Sequence, residues 1–184
     1  MRRNLSLIVA AGCALLIQAA NAQSLAPMDE QVIAKVHQAN QMEMQIGKMA
    51  EQKAASAKVK RYGGLLVRDH QKGDQLVTQI AKQKGLSSIP EPKAETPAEK
   101  EDMQRQQALM QQLQQAEGHE FDVAFAKAMV AGHEKAVAMV VDASNQVSDA
   151  DLRGTLKKLV PILKQHLEIA QRLAHSTTAT TTQR

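Results

Sequence analysis

Three histidines stand in matching surroundings. His70 follows Leu66 and Val67 and precedes Val77; His133 follows Met129 and Val130 and precedes Ala136 and Val137; His166 follows Ile162 and Leu163 and precedes Ile169 and Ala170. Apolar residues four and three positions before a histidine share its face of an α-helix, so each imidazole points toward a core. Glu43 is the acid that a fourth helix offers, with Asn40 and Gly47 on its face and Ala50 two turns on. Three imidazole nitrogens and one carboxylate oxygen form a four-coordinate donor set for zinc or copper, and iron or manganese accept the same donors. A buried ionised carboxylate without a partner costs roughly several kcal/mol even after relaxation, which a metal ion or a protonated imidazole offsets. The set therefore reads in two ways. It is one mononuclear metal site, Glu43–His70–His133–His166, or a His–Glu hydrogen-bond layer that specifies the bundle and binds nothing. Asp69 and Glu134 adjoin two of the histidines and project away from them around the helix. That suits them to hold an imidazole N–H on a neighbouring helix rather than the ion itself.

Other chemistry is poorly supplied. Carboxylate-bridged di-iron bundles place a Glu three residues before a His on two helices; here those positions are Val67, Val130 and Leu163, which argues against a di-iron centre. His37, His119 and His175 lie toward helix ends and read as surface residues. The methionines, among them Met42, Met44 and Met49, read as core filling, with a thioether copper site as the sharper alternative. No nucleophile elbow, P-loop or Rossmann glycine pattern is present. An open coordination position activates water, but no substrate pocket is legible and no enzyme class is indicated.

The elements that must position these side chains are helical. The chain has 184 residues, is 43% hydrophobic and only 2% aromatic, and is rich in Ala, Gln, Lys, Leu and Met, a composition that argues against an all-β fold. A first helix runs from Pro27 to about Ala54, with Ile33, Val36, Asn40, Gly47 and Ala50 on one stripe. A tight turn before Ser56, unmarked by Gly or Pro, leads to a second helix from about Ala57 to Lys84, which Gly85 ends. After a linker with Pro90 and Pro92, Thr96-Pro97-Ala98-Glu99 is a capping box that opens a polar, Gln-rich third helix. The fourth helix spans about His119 to Asn145, with Val141 on its apolar stripe. The fifth, capped by Ser148, runs to about His175 with Pro161 inside. Four helices of about 27 residues, or about 40 Å, predict an antiparallel four-helix bundle. Two hairpins joined by a long connection carrying the extra polar helix give the ferritin-like connectivity.

The ends are of another kind. Arg2 and Arg3, an apolar run from Leu5 and the Ala20-Asn21-Ala22 cleavage site read as a signal peptide over residues 1–22. The bundle domain then covers 23–175, and residues 176–184, mostly Thr, form a disordered tail. Cleavage would remove Cys13, the one cysteine, which sits in a poor lipoprotein box, and would leave a chain without a membrane span. Without Arg2 and Arg3, 21 basic residues face 19 acidic ones, so no concentrated basic surface recommends nucleic acid as a partner. Export of this kind places the protein in the periplasm or at the surface of a bacterium.

The stretches Asn40 to Ala54, Val67-Arg68-Asp69-His70, Phe121-Asp122, Ala131 to Val137 and Leu159 to Leu167 resemble a known family. It comprises exported bacterial proteins with a ferritin-like bundle, catalogued as domain of unknown function 4142. The resemblance covers about Asp29 to Ala174. It implies the break between the first two helices and supplies no established activity. Two functions follow from the residues: a periplasmic bundle holding one zinc or copper ion, or a metal-free structural or interaction protein of the cell envelope, linked to stress or surface association.

Overall fold

A computed structural model describes the backbone of residues 25–181 and the side chains as far as Thr177. The expected signal peptide, with Cys13, and residues 182–184 lie outside the described residues. The elements are α1 (Pro27–Lys53), α2 (Ala57–Gln83), α3 (Pro97–Gln115), α4 (Gly118–Gln146) and α5 (Ala150–Thr181). Among the described residues there is no strand, only an isolated bridge between Ala54 and Gly118. The fold is therefore all-helical. Helix α5 continues through Pro161 to Thr181, so the tail expected to be disordered from residue 176 is helical to that point.

The helices pack as a bundle. α1 lies along α2 and α4 along α5, with α2 against α5 and α1 against α4; α3 rests on α1 and α4. Along the first pair Asn40 faces His70, His37 faces Asp74 and Gly47 faces Gly63, so numbers rise on one helix as they fall on the other. The stripes are buried as their periodicity predicts: Ile33, Val36, Ile46 and Ala50 on α1; Val59, Tyr62, Leu66 and Val77 on α2; Phe121, Phe125 and Met129 on α4; Leu152, Leu156 and Ala170 on α5. Val141, expected on the α4 stripe, is 37% exposed, because the stripe drifts around a helix of eight turns. Two apolar clusters fill the bundle, one around Ile33, Val77 and Leu156, the other around Ile46, Tyr62 and Phe125. The histidine-bearing segments lie between them in sequence. α3 buries only Leu113, and its Thr96–Glu99 capping box is formed.

Both hairpin turns are completed from the opposite hairpin. Ser56 caps α2 by accepting from the Lys58 N–H, and its own N–H donates to the buried Asp122 carboxylate at 2.9 Å. At the other end the buried Asp29 carboxylate accepts from the N–H and hydroxyl of Ser148 and from the N–H of Asp149. Asp29 precedes the α1 C-cap Ala54 by as many residues as Asp122 precedes the α4 C-cap Val147. A shift of 93 residues thus carries Asp29 onto Asp122, Asn40 onto His133 and Gly73 onto His166.

The α1–α2 pair is set by Gly47 and Gly63. A Cβ on Gly47 would meet the Gly63 carbonyl oxygen at 2.7 Å, and one on Gly63 would meet the Gly47 carbonyl oxygen at 2.6 Å. These are backbone atoms, so the helices would have to separate. Gly47→Ala or Gly63→Ala is expected to cost about 1–3 kcal/mol in urea unfolding, despite the better helix propensity of Ala. Gly64→Ala meets only the flexible Glu51 carboxylate and is expected to be neutral or mildly stabilising.

Candidate metal centre

α2, α4 and α5 bring His70, His133 and His166 to one level of the bundle. Their relative exposures are 6%, 1% and 1%. The ring centroids are 5.9 Å apart for His70–His133, 5.3 Å for His70–His166 and 5.3 Å for His133–His166. One ring nitrogen from each residue lies within 4.8 Å of the others. Nitrogens bonded at about 2.0–2.1 Å to a tetrahedral ion sit roughly 3.4 Å apart, so small rotations close the remaining distance.

Each imidazole has one nitrogen anchored and one free. His70 Nδ1 pairs with the Asn40 side-chain oxygen at 2.9 Å, His133 Nδ1 with the Met129 carbonyl at 2.9 Å, and His166 Nε2 with the Asp69 carboxylate at 3.2 Å. All three acceptors are oxygens, so the facing nitrogen carries the proton and the other presents a lone pair. The remaining nitrogens, Nε2 of His70 and His133 and Nδ1 of His166, are buried and without a hydrogen-bond partner. An imidazole whose far nitrogen is held by an oxygen acceptor is oriented for metal ligation.

Electrostatics keep this layer neutral. Burial pushes the His70 pKa down to about 3, with further depression from His166 and His133. Burial likewise pushes His133 down to about 4, aided by His166. His166 is lowered by burial, and the Asp69 hydrogen bond recovers only part of the shift. Burial alone would raise Asp69, but its hydrogen bonds with His166 and Arg68 outweigh this and hold it below the usual carboxylate range. The Tyr62 hydroxyl donates to the His166 backbone carbonyl at 2.9 Å, and burial followed by the Glu43 charge raises its pKa.

The other candidate residues divide. Glu43 lines the same cavity, of about 420 Å³, as the three histidines. Its Oε2 is buried and unpartnered, and burial pushes its pKa up to about 7. Its carboxylate is not among the ligand atoms that lie within 4.8 Å of one another, so the structure brings three of the four residues into mutual range. Asp69 reaches an imidazole N–H on a neighbouring helix. Glu134 is exposed on α4 and has no place at the cluster, because the residue after His133 faces solvent. His37 pairs with Asp74 at 2.6 Å, away from the layer. The anchors that sequence reasoning missed are Asn40 and the Met129 carbonyl. A polar Asn on the apolar stripe of α1 was a usable signal, whereas the i−4 carbonyl leaves none.

Fold and site define a helical bundle with a buried cluster of three histidines at its centre. Residues 14–173 match the family described as a domain of unknown function, DUF4142, and the chain belongs to that family. Among curated proteins no sequence matches it. Solved structures of CopM share the fold. The Cu(II)-bound form has a TM-score of 0.65 at 15% identity, the Cu(I)-bound form 0.65 at 16% and the Ag-bound form 0.63 at 16%; each likeness covers 80% of this chain and 96% of that one.

A pH dependence follows for chelator-treated protein. Below about 6.5 the unfolded chain takes up protons on three histidines that the folded chain refuses down to about 3 for His70 and about 4 for His133. Stability from these groups is full above 6.5 and is lost as pH falls. Glu43 acts in the opposite sense: its contribution falls as pH rises from 4.5 to about 7. Three groups oppose one, so the thermal midpoint is expected to fall between pH 6.5 and 4.5. Replacing His133 with Gln should flatten that slope in the same melts.

Proposed function

We propose that this protein is an exported bundle that binds one transition-metal ion, copper first and zinc second, through His70, His133 and His166. The observation that carries the reading is the set of three buried, unpartnered imidazole nitrogens supplied by three helices. A buried polar atom left unsatisfied costs about 1–3 kcal/mol, and a cation relieves all three at once. Neutral imidazole with no thiolate suits Cu or Zn. The fold likeness to CopM, described in Cu(II)-, Cu(I)- and Ag-bound forms, supports copper.

Glu43 is the proposed fourth ligand. It lines the cavity, its Oε2 lacks a partner, and a cation nearby would favour the carboxylate that burial disfavours. Asp69, Asn40 and the Met129 carbonyl are the proposed outer anchors. The positions three before each histidine, Val67, Val130 and Leu163, supply no bridging acid, so a di-iron centre is not proposed. The two hairpins and the long connection through α3 support the ferritin-like connectivity. The basic, apolar, Ala-ended leader over residues 1–22 supports export to the periplasm or cell surface. No described helix is long and apolar enough to cross a membrane.

Protein purified without a His tag, stripped and then titrated with Cu(II) or Zn(II), is expected to bind one equivalent. At about 100 times the Kd, linkage adds about 2.7 kcal/mol, or about 5–10 °C in Tm. His133→Ala and His166→Ala should abolish uptake and the shift, and Glu134→Gln should keep both. An unshifted Tm at saturating metal would leave the metal-free structural or interaction protein of the envelope as the function.

A further inference from the structure

The histidine cavity has room for far more than an ion. Its volume is about 420 Å³, whereas a single water takes about 30 Å³. Beyond the imidazoles its wall is mostly apolar, with Val36, Ile46, Val140, Ile162 and Leu163 among the lining side chains. A few convergent polar groups in an apolar chamber of about 300–1,000 Å³ is the form of a small-molecule site.

The polar groups set the chemistry of the ligand's head. In each ring the anchored nitrogen faces an oxygen acceptor, so the other nitrogen is itself an acceptor. These three acceptors are buried, unpartnered and within 4.8 Å of one another. Acceptors around a tetrahedral ammonium, each about 2.9 Å from its nitrogen, stand about 4.7 Å apart. A primary ammonium therefore suits a triad of this width, with one N–H for each lone pair.

The charges agree. Glu43, Asp69 and Asp102 line the cavity against Arg105 and Lys135, and Asp102 engages both of those cations. Asp69 pairs with His166 and with the exposed Arg68. Glu43, nine-tenths buried, keeps an unpartnered Oε2. The cavity thus offers a carboxyl group to an incoming cation and no unpaired cation to repel it.

We propose that the metal-free cavity binds one small primary amine with an apolar body, its ammonium donating to His70 Nε2, His133 Nε2 and His166 Nδ1. The hydrocarbon part takes the apolar room that an ion leaves empty. Amine and metal use the same three lone pairs, so each excludes the other. The amine site does not require that a metal bind.

The test is calorimetric titration of the chelator-treated protein with phenethylamine at neutral pH. One equivalent is expected to bind. N,N-dimethylphenethylamine has one N–H, 2-phenylethanol has no charge and methylammonium has no apolar body; each should bind at least tenfold more weakly. His133→Phe, which keeps a ring and removes an acceptor, should also lose tenfold or more with an unchanged far-UV spectrum; if it does not fold, the ligand series on the wild-type chain decides. No uptake of phenethylamine, or equal affinity for the dimethyl amine or the alcohol, would overturn the proposal. Protein that takes up the amine but neither Cu(II) nor Zn(II) would reject the metal reading alone, and protein that takes up metal but no amine would reject this one alone.

Discussion

The molecule is organised around three buried imidazoles that line one cavity and stay neutral. Burial removes their protons, leaving each ring to satisfy one nitrogen with an oxygen acceptor and to hold the other as a bare lone pair. An apolar layer of the same volume would pack without that penalty. The rest of the structure is arranged to keep the rings in place: Asn40, Asp69 and the Met129 carbonyl fix the orientation of each, and Tyr62 ties α2 to the backbone of His166.

Close packing makes this possible on one side and leaves room on the other. The Gly47–Gly63 contact draws α1 onto α2, which puts Asn40 within hydrogen-bond range of His70. α1 and α4 pack together only lightly, and α3 covers the opening between them. It is held there by the ion pairs Lys35–Glu99 and Lys135–Asp102, by the Lys53 ammonium on the Gln114 carbonyl, and by Leu113, Leu109 and Met110 against the apolar cluster below. The histidine cavity is lined in part by residues of all three of these helices. α3 buries one residue of its own, Leu113, and presents the rest of its polar sequence outward.

Much of this was legible in the amino-acid order. The stripes around Ile33, Leu66, Phe125 and Leu156 carry the 3.6-residue period, and the Thr96–Glu99 box carries its own cap signal. The break at Ala54–Ser56 has no local marker because its stabilising partner, Asp122, lies on another helix. Asp69 and Glu134 illustrate the same limit. Each adjoins a histidine, but Asp69 faces α5 and finds His166, while Glu134 faces solvent. Periodicity gives the angle around a helix, and only the packing decides what stands opposite. Asn40, read from the sequence only as a neighbour on the face of Glu43, is an anchor for His70. The tail ran on as helix to Thr181 because nothing after His175 breaks it.

The crossed aspartates, Asp29 on one turn and Asp122 on the other, have a consequence for descent. Two separate copies of a single hairpin, meeting about a dyad, would meet the same requirement, since each would supply the acid that its mate lacks. Once joined in one chain, the halves are released from identity. One half holds His133 and His166 where the other, at the same spacing, holds Asn40 and Gly73, so the imidazoles gather on one side of the bundle.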